Sequence, residues 1–252
     1  MTEDIAANKG RATRLVGELT VPTFAVVLVV VGALGGIIAG IVVAALVAAA
    51  LGAYLWRGGP SAARRALGGR AADPEAEARL VNLVEGLGTA NGVPVPDLLV
   101  IDDPAPNALS LGLDARHATI AVTTGLLERL SRVELEGVVA REIARIKSHE
   151  TRPETVAVAV LTLVGGFRPW ADHVRRLAVG DGGLVVADTQ GARLTRYPPG
   201  LAKALEHLGA DARNVRAGSN ATAHLWLEPP MSGPPLDVHP PLEERIEALR
   251  EL

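Results

Sequence analysis

Apolar and polar positions divide this chain into two unequal parts. From Leu19 to Trp56 there is no Asp, Glu, Lys or Arg, an uncharged run of 38 residues. About 20 helical residues cross a bilayer core, and about 18 uncharged apolar ones already make a candidate span. One straight helix of this length would extend roughly 57 Å, nearly twice the ~30 Å hydrocarbon core. Two topologies fit. In the first, Gly35-Gly36 is the tip of a helical hairpin with arms Leu19–Leu34 and Ile37–Trp56. In the second, one tilted helix carries Gly32, Gly36 and Gly40 as a small-xxx-small packing stripe. Lys9, Arg11 and Arg14 precede the run, and Arg57, Arg64, Arg65 and Arg70 follow it. Positive flanks favour the cytoplasmic side. A hairpin keeps both flanks there, whereas a single span exports one, so the hairpin is preferred. Tyr54 and Trp56 then fall at the exit interface. The run is also far longer than the apolar region of a signal peptide, about 7–15 residues.

The remainder is polar and periodic. Residues 1–18 read as a cytoplasmic N-terminal segment, and 57–73 as a Gly/Ala/Arg-rich linker; one further domain fills 74–252. Asp73-Pro74-Glu75 reads as N-cap, N1 and acidic first turn. Leu80, Leu83, Val84 and Leu87 follow at helical spacing until Asn91-Gly92 breaks the helix. Asp97–Ile101 and His117–Val122 read as strands, with Asp103–Leu113 a loop between them. Ser131-Arg132-Val133-Glu134 is a capping box opening a helix to about Ser148. Val156–Val164 is apolar but too short to span a bilayer. A helix follows over Leu201–Leu208, then a Pro-rich loop, Glu228–Pro235, and a last helix from Pro241. Few short strands among many helices predict an α+β domain.

Composition sharpens this. Lys+Arg 25 against Asp+Glu 28 gives a net charge of −3, which excludes a basic nucleic-acid binding face. Cys 0 excludes disulfides, thiolate metal sites and a cysteine nucleophile together. The mean hydropathy of +0.26 comes from the uncharged run.

On the capped helix stand Arg141-Glu142-Ile143-Ala144-Arg145. Positions 141 and 145 share a face, in the spacing of H-E-x-x-H, where two imidazoles bind zinc and the Glu activates water. Taken alone, R-E-x-x-R is a common string on a solvated helix. Around it, in order, lie Pro106-Asn107-Ala108, the strand His117–Val122, Thr123-Thr124-Gly125, Val133–Val138, Ala187-Asp188, Ala204-Leu205, Thr222–Leu225 and His239–Ile246. Together with the preceding hairpin, this order resembles the HtpX-like integral-membrane zinc metallopeptidases, relatives of the CAAX-prenyl proteases. The resemblance covers nearly the whole chain. It implies a zincin-like (gluzincin) domain, mostly helical with a small sheet, behind a transmembrane hairpin in the cell (inner) membrane, facing the cytoplasm.

The resemblance also implies departures. Glu142 matches the family's general base, a vestigial position if no metal is present. The two zinc histidines fall at Arg141 and Arg145, and the third ligand, a Glu three residues before the Ala-Asp pair, falls at Leu184. A guanidinium has no lone pair to offer a metal and leucine has none either, so zinc, the family cofactor, is not expected here. The metal site is predicted to be none. His149-Glu150 runs into Thr151-Arg152-Pro153 with no second histidine. Asn107, Asp188 and His224 are expected to line the cleft, with His239 a structural turn residue. The two arginines either reach solvent or a carboxylate such as Asp188, or replace the +2 of zinc and keep the cleft electropositive for an anion. The family's edge strand, matching His117–Val122, would take a peptide or protein partner by strand addition.

The expectation is a membrane-anchored pseudoprotease, metal-free and non-catalytic, that binds or scaffolds a partner in membrane protein quality control. The alternatives are an active zinc metalloendopeptidase with unrecognised ligands and a plain structural membrane protein. Oligomeric state is not readable from these residues.

Overall fold

The computed structural model describes residues 2–165, 167–180, 182–211, 213–229 and 238–252. Helices α1 (Thr2–Gly35) and α2 (Ile37–Leu67) form the hairpin. Gly36 makes the tip with φ 86 and ψ 157, a left-handed region that a side chain would disfavour. The glycine stripe is used inside the hairpin: a Cβ on Gly40 would lie 2.8 Å from the Gly32 Cα. Val29, Val30, Leu34, Ile37, Ile38, Ile41 and Leu46 face outward, uncovered by protein. Both helices are long and apolar enough to cross a membrane.

The hairpin arms are longer than the uncharged run. Residues 2–18 are helical rather than a separate segment, and 57–67 continue α2 rather than forming a linker. Docking explains both corrections, since most helical stability in proteins comes from a packed face. Ala12 and Leu15 are buried on one arm, and Gly59, Ala63 and Leu67 on the other. Asn8 donates to the Ser148 carbonyl at 2.9 Å.

The soluble part follows in the order β1 (Arg70–Ala71), α3 (Ala78–Asn91), β2 (Asp97–Ile101), β3 (Ala108–Gly112), β4 (Ala118–Thr123), α4 (Thr124–Arg129) and α5 (Arg132–Ser148). Then come α6 (Thr151–Val164), α7 (Arg168–Val179), α8 (Gly183–Thr195), α9 (Pro198–Ala210) and α10 (Leu242–Arg250). The Pro-rich loop expected at 228–235 lies largely outside the described residues. Asp73 accepts from the Glu75 and Ala76 amides, but it caps a turn over residues 74–77 that leads into α3, which starts at Ala78.

The sheet order is β1-β2-β4-β3, with β2 and β4 parallel and the other pairs antiparallel. This corrects the edge-strand assignment: the strand expected at His117–Val122 is β4, paired on both sides. The edges are β1 and β3, and β3 lies inside the segment expected as a loop. Its own edge is covered by the chain: Leu109 bridges Trp226, and Leu227 donates to the Ala108 carbonyl at 2.8 Å. At its end, Gly112 donates to Thr155 Oγ1 at 2.9 Å.

Pleating sends alternate residues to two cores. Ala108, Ile120 and Val122 pack under α3, α5 and α9. Leu109, Leu111 and Ala121 face Ala63 and Leu67 of α2, Val158 of α6 and Trp226. Ser110 alternates with Leu109 and Leu111, so it points toward α5.

At Gly59 the backbones of α2 and α6 meet, and an added methyl would overlap the Thr155 carbonyl. Gly59→Ala should therefore lower the melting temperature in detergent, by the equivalent of roughly 1–3 kcal/mol for overpacking. Gly86→Ala in α3, with open space around it, should instead raise stability by a few tenths to about 1 kcal/mol. Equal effects at the two positions would contradict this account of the α2–α6 contact.

Candidate functional site

The site is built on α5. Ser131 and Glu134 form the full capping box, with the Ser131 amide donating to Glu134 Oε2 at 2.8 Å. The helix ends at His149, whose φ of 60 closes it in the left-handed conformation. Nearly all of α5 from Glu134 is buried, including both arginines and the carboxylate between them: Arg141 and Glu142 are 0% exposed and Arg145 is 1% exposed.

A buried charge must be paired, and each is. Arg141 Nε donates to Asp188 Oδ1 at 2.7 Å, and its Nη1 donates to Glu142. Arg145 Nη1 donates to the other Glu142 oxygen at 3.0 Å and to Ser110 Oγ at 3.2 Å. Its Nη2 donates to Glu154, one residue before Thr155 on α6. Ser110 donates to Glu142. Arg245 of α10 closes the set, donating to both Asp188 oxygens at 2.7 and 3.1 Å and to the Leu227 carbonyl at 2.8 Å. Three guanidiniums thus face Glu142, Glu154 and Asp188, with Glu150 Oε2 4.0 Å from Arg145 Nε and Glu228 Oε2 3.6 Å from Arg245 Nη1.

Titration follows from this pairing. Burial alone would raise the Glu142 carboxyl, but Arg141 and Arg145 outweigh it and hold it below the usual range. Burial opposes Arg245 and Arg141 at Asp188 in the same way, and again the guanidiniums prevail. At Glu154 burial wins over Arg145, and the carboxyl is raised. Burial likewise lifts Glu150, whose Oε2 is 4.0 Å from Arg145 Nε, to about 6. His224 is pushed down to about 4 by burial. Its Nε2 lies 2.9 Å from the Glu154 carbonyl, which can only accept, so the proton sits on Nε2.

The expected residues are only partly brought together. Glu142, Arg141, Arg145 and Asp188 form one cluster. Leu184 is buried one turn before Asp188 on α8, on the same face. His224 adjoins the cluster through the Glu154 backbone. Asn107 does not reach it. Its side chain ties β3 to the segment after Trp226, accepting from the Ala108 and Glu228 amides and donating to the Glu228 carbonyl at 2.7 Å. His239 is structural, with Nε2 3.2 Å from the Trp226 carbonyl. The idea that the arginines leave an electropositive cleft is corrected: the carboxylates neutralise them, and no arginine of the cluster reaches solvent. Sequence reasoning missed Ser110, Glu154 and Arg245. A lone Glu opening the apolar run of α6 was the readable signal for Glu154.

A hairpin of membrane length feeding a small mixed sheet, backed by a capped helix with a charged i, i+4 pair, is the plan of a membrane-associated peptidase-type domain. Comparison with known proteins agrees. The description "Peptidase family M48" matches residues 74–180. A "Protease HtpX homolog" of Tropheryma whipplei (strain Twist) is 36% identical over 210 residues, 69% of this chain and 72% of that protein. One from Dictyoglomus thermophilum is 31% identical over 283 residues, covering 98% and 93%. One from Caldanaerobacter subterraneus subsp. tengcongensis is 34% identical over 230 residues, covering 75% and 77%. The chain belongs to peptidase family M48, among its HtpX-like membrane members.

Proposed function

We propose that this chain is a metal-free, non-catalytic HtpX-like protein, anchored by its hairpin with the M48 domain on the cytoplasmic side. It works by holding a protein partner at the membrane, in the quality control of membrane proteins, rather than by hydrolysis. The observation that carries the reading is that two fully buried guanidiniums, Arg141 and Arg145, sit at the H-E-x-x-H spacing and are tied to carboxylates on both sides of Glu142. The residues present do not fit a zinc ion. Arginine keeps its proton and offers no lone pair, and Leu184, at the position of the third ligand, offers none. The described residues contain no group of three His, Asp, Glu or Cys arranged to hold a metal. Glu142 accepts from Arg141, Arg145 and Ser110, so both of its oxygens are already engaged inside the buried cluster. The basic flanks on both arms support the cytoplasmic orientation. Because β3 is already covered, a partner binds away from that edge.

Purified protein loaded with zinc and then desalted should retain no stoichiometric metal and leave casein intact. Stoichiometric zinc with chelator-sensitive cleavage would establish the active-enzyme reading instead. The triple variant Arg141→His, Arg145→His, Leu184→Glu should take up about one zinc, with Asp188 placed to orient the first imidazole. A folded triple variant that takes up none refutes the assignment of these three positions.

A further inference from the structure

We propose that a cleft between α5, α8 and the first turn of α1 is a binding site for a small dianion from solution, a dicarboxylate or a phosphate monoester. The proposal is independent of whether the domain is catalytic. At Gly191 the backbones of α5 and α8 touch, since an added Cβ would lie 2.5 Å from the Arg141 Cα. Beyond that contact they leave a cleft of about 320 Å³, at the lower end of the range for small-molecule sites. Ala144 and Lys147 line it from α5, Gln190, Arg193 and Leu194 from α8, and Asp4 from α1. Its charges are arranged differently from those of the buried cluster. Among the described residues, neither Lys147 nor Arg193 has an ion-pair or hydrogen-bond partner, and the Gln190 amide has none either. Asp4, the acidic residue among those lining the cleft, is itself engaged. Two cations with all their donors available therefore share one cleft.

The lining chemistry selects the ligand. A guanidinium offers a planar fork of donors and an ammonium three more, so Arg193 and Lys147 together match a double negative charge. Ala144 and Leu194 give its carbon frame an apolar floor. Position selects the source. Asp4 precedes Leu19 by 15 residues on the continuous helix α1, which places it roughly 22 Å from the start of the uncharged run at 1.5 Å per residue. A headgroup layer is only about 5–8 Å deep on each face of a bilayer, so lipid phosphates do not reach the cleft. Occupancy also bears on the anchor. Asn8 of α1 donates to the Ser148 carbonyl, next to Lys147, so a dianion joining Lys147 to Arg193 stabilises the end of the domain on which α1 docks.

The full chain in mild non-ionic detergent is titrated calorimetrically with glutarate, glycerol 3-phosphate and neutral glutaramide. At least one dianion should bind at a single site with a Kd of about 1 mM or below and raise the melting temperature; glutaramide should do neither. Lys147→Met and Arg193→Met should each weaken binding about tenfold or more. Lys203→Met, at an exposed lysine of α9, should leave it unchanged. Glutarate alone binding assigns a dicarboxylate, glycerol 3-phosphate alone a phosphate monoester, and both together a site that reads charge only. In the unsubstituted chain the bound dianion should also shield Lys147 from acetylation, read by mass spectrometry, a measurement that needs no variant to fold. Absence of binding by both dianions up to about 10 mM overturns the proposal. So does binding that survives both substitutions, binding that weakens equally in Lys203→Met, or a Lys147 that stays unshielded.

Discussion

Asp188→Ala should cost the folded protein about 3–5 kcal/mol, measured by denaturant unfolding in mild detergent. Asp188 is buried and is shared by two buried arginines, Arg141 and Arg245. Removing it leaves two guanidinium charges facing each other with one anion fewer. Glu142 is held by Arg145 and Ser110, and Glu154 by Arg145, which leaves Glu228, 3.6 Å from Arg245, as the nearest partial substitute. The cost comes from stranding charge, not from the worth of the ion pairs themselves, and this separates the expected behaviour of two variants. Asp188→Ala/Arg245→Met removes one anion with one cation and should recover part of the loss, giving a coupling of about 1–3 kcal/mol in the double-mutant cycle. A single-variant cost under about 1 kcal/mol is the value of an exposed pair, and would mean that water reaches this cluster.

Acidification should destabilise the protein between pH 6.5 and about 4, below the usual histidine range. Burial lowers His224 to about 4 and His239 to about 3 from 6.5 in the unfolded chain. A depressed histidine favours the fold fully above 6.5. Below that, the unfolded chain takes up protons that the folded one refuses, until the folded pKa is reached. For His224 this amounts to about 3 kcal/mol across the window. Glu150 acts with the opposite sign. Raised to about 6 from 4.5, it penalises the fold above pH 6, and that penalty, about 2 kcal/mol, disappears by pH 4.5. Glu154 and Glu228, also raised by burial, act in the same direction as Glu150, and the two histidines, which shift further than Glu150, set the net direction. Glu142 and Asp188, both held below their usual values, add a further loss only below about pH 4. Melting temperatures should therefore stay level from pH 7.5 to 6.5 and fall through 5.5 and 4.5. In His224→Gln, whose amide can still donate to the Glu154 carbonyl, the fall should be shallower. A flat profile, or an unchanged slope in His224→Gln, contradicts the burial of the neutral imidazoles.

Legibility from the sequence followed the range of each interaction. The hairpin with its tip at Gly36, strand β2 and the capping box of α5 are local patterns, each written within a few residues. Their boundaries were less readable. Residues 2–18 and 57–67 carry weak helical signals alone and become helix because Ala12, Leu15, Ala63 and Leu67 find partners far along the chain. Strand β3 was hidden because five short residues after Pro106-Asn107 look like loop until they pair with β4. Helices α7 and α8 were not anticipated either.

For the site, the sequence by itself determined the chemistry available. Two arginines stand at the H-E-x-x-H spacing, and no folding can change a guanidinium into a metal ligand. The uncharged run of 38 residues likewise determined the anchor, because bilayer thickness sets the length of its spans. Only the tertiary structure decided what the arginines do. Their partners lie 9, 47 and 35 residues away for Arg145–Glu154, Arg141–Asp188 and Arg145–Ser110, and Arg245 comes from the last helix. Whether a charge is exposed or buried, free or neutralised, depends on which distant carboxylates the packing brings to it. A linear pattern does not encode that, so an apparent cationic cleft is, in the folded chain, a closed core of paired charges.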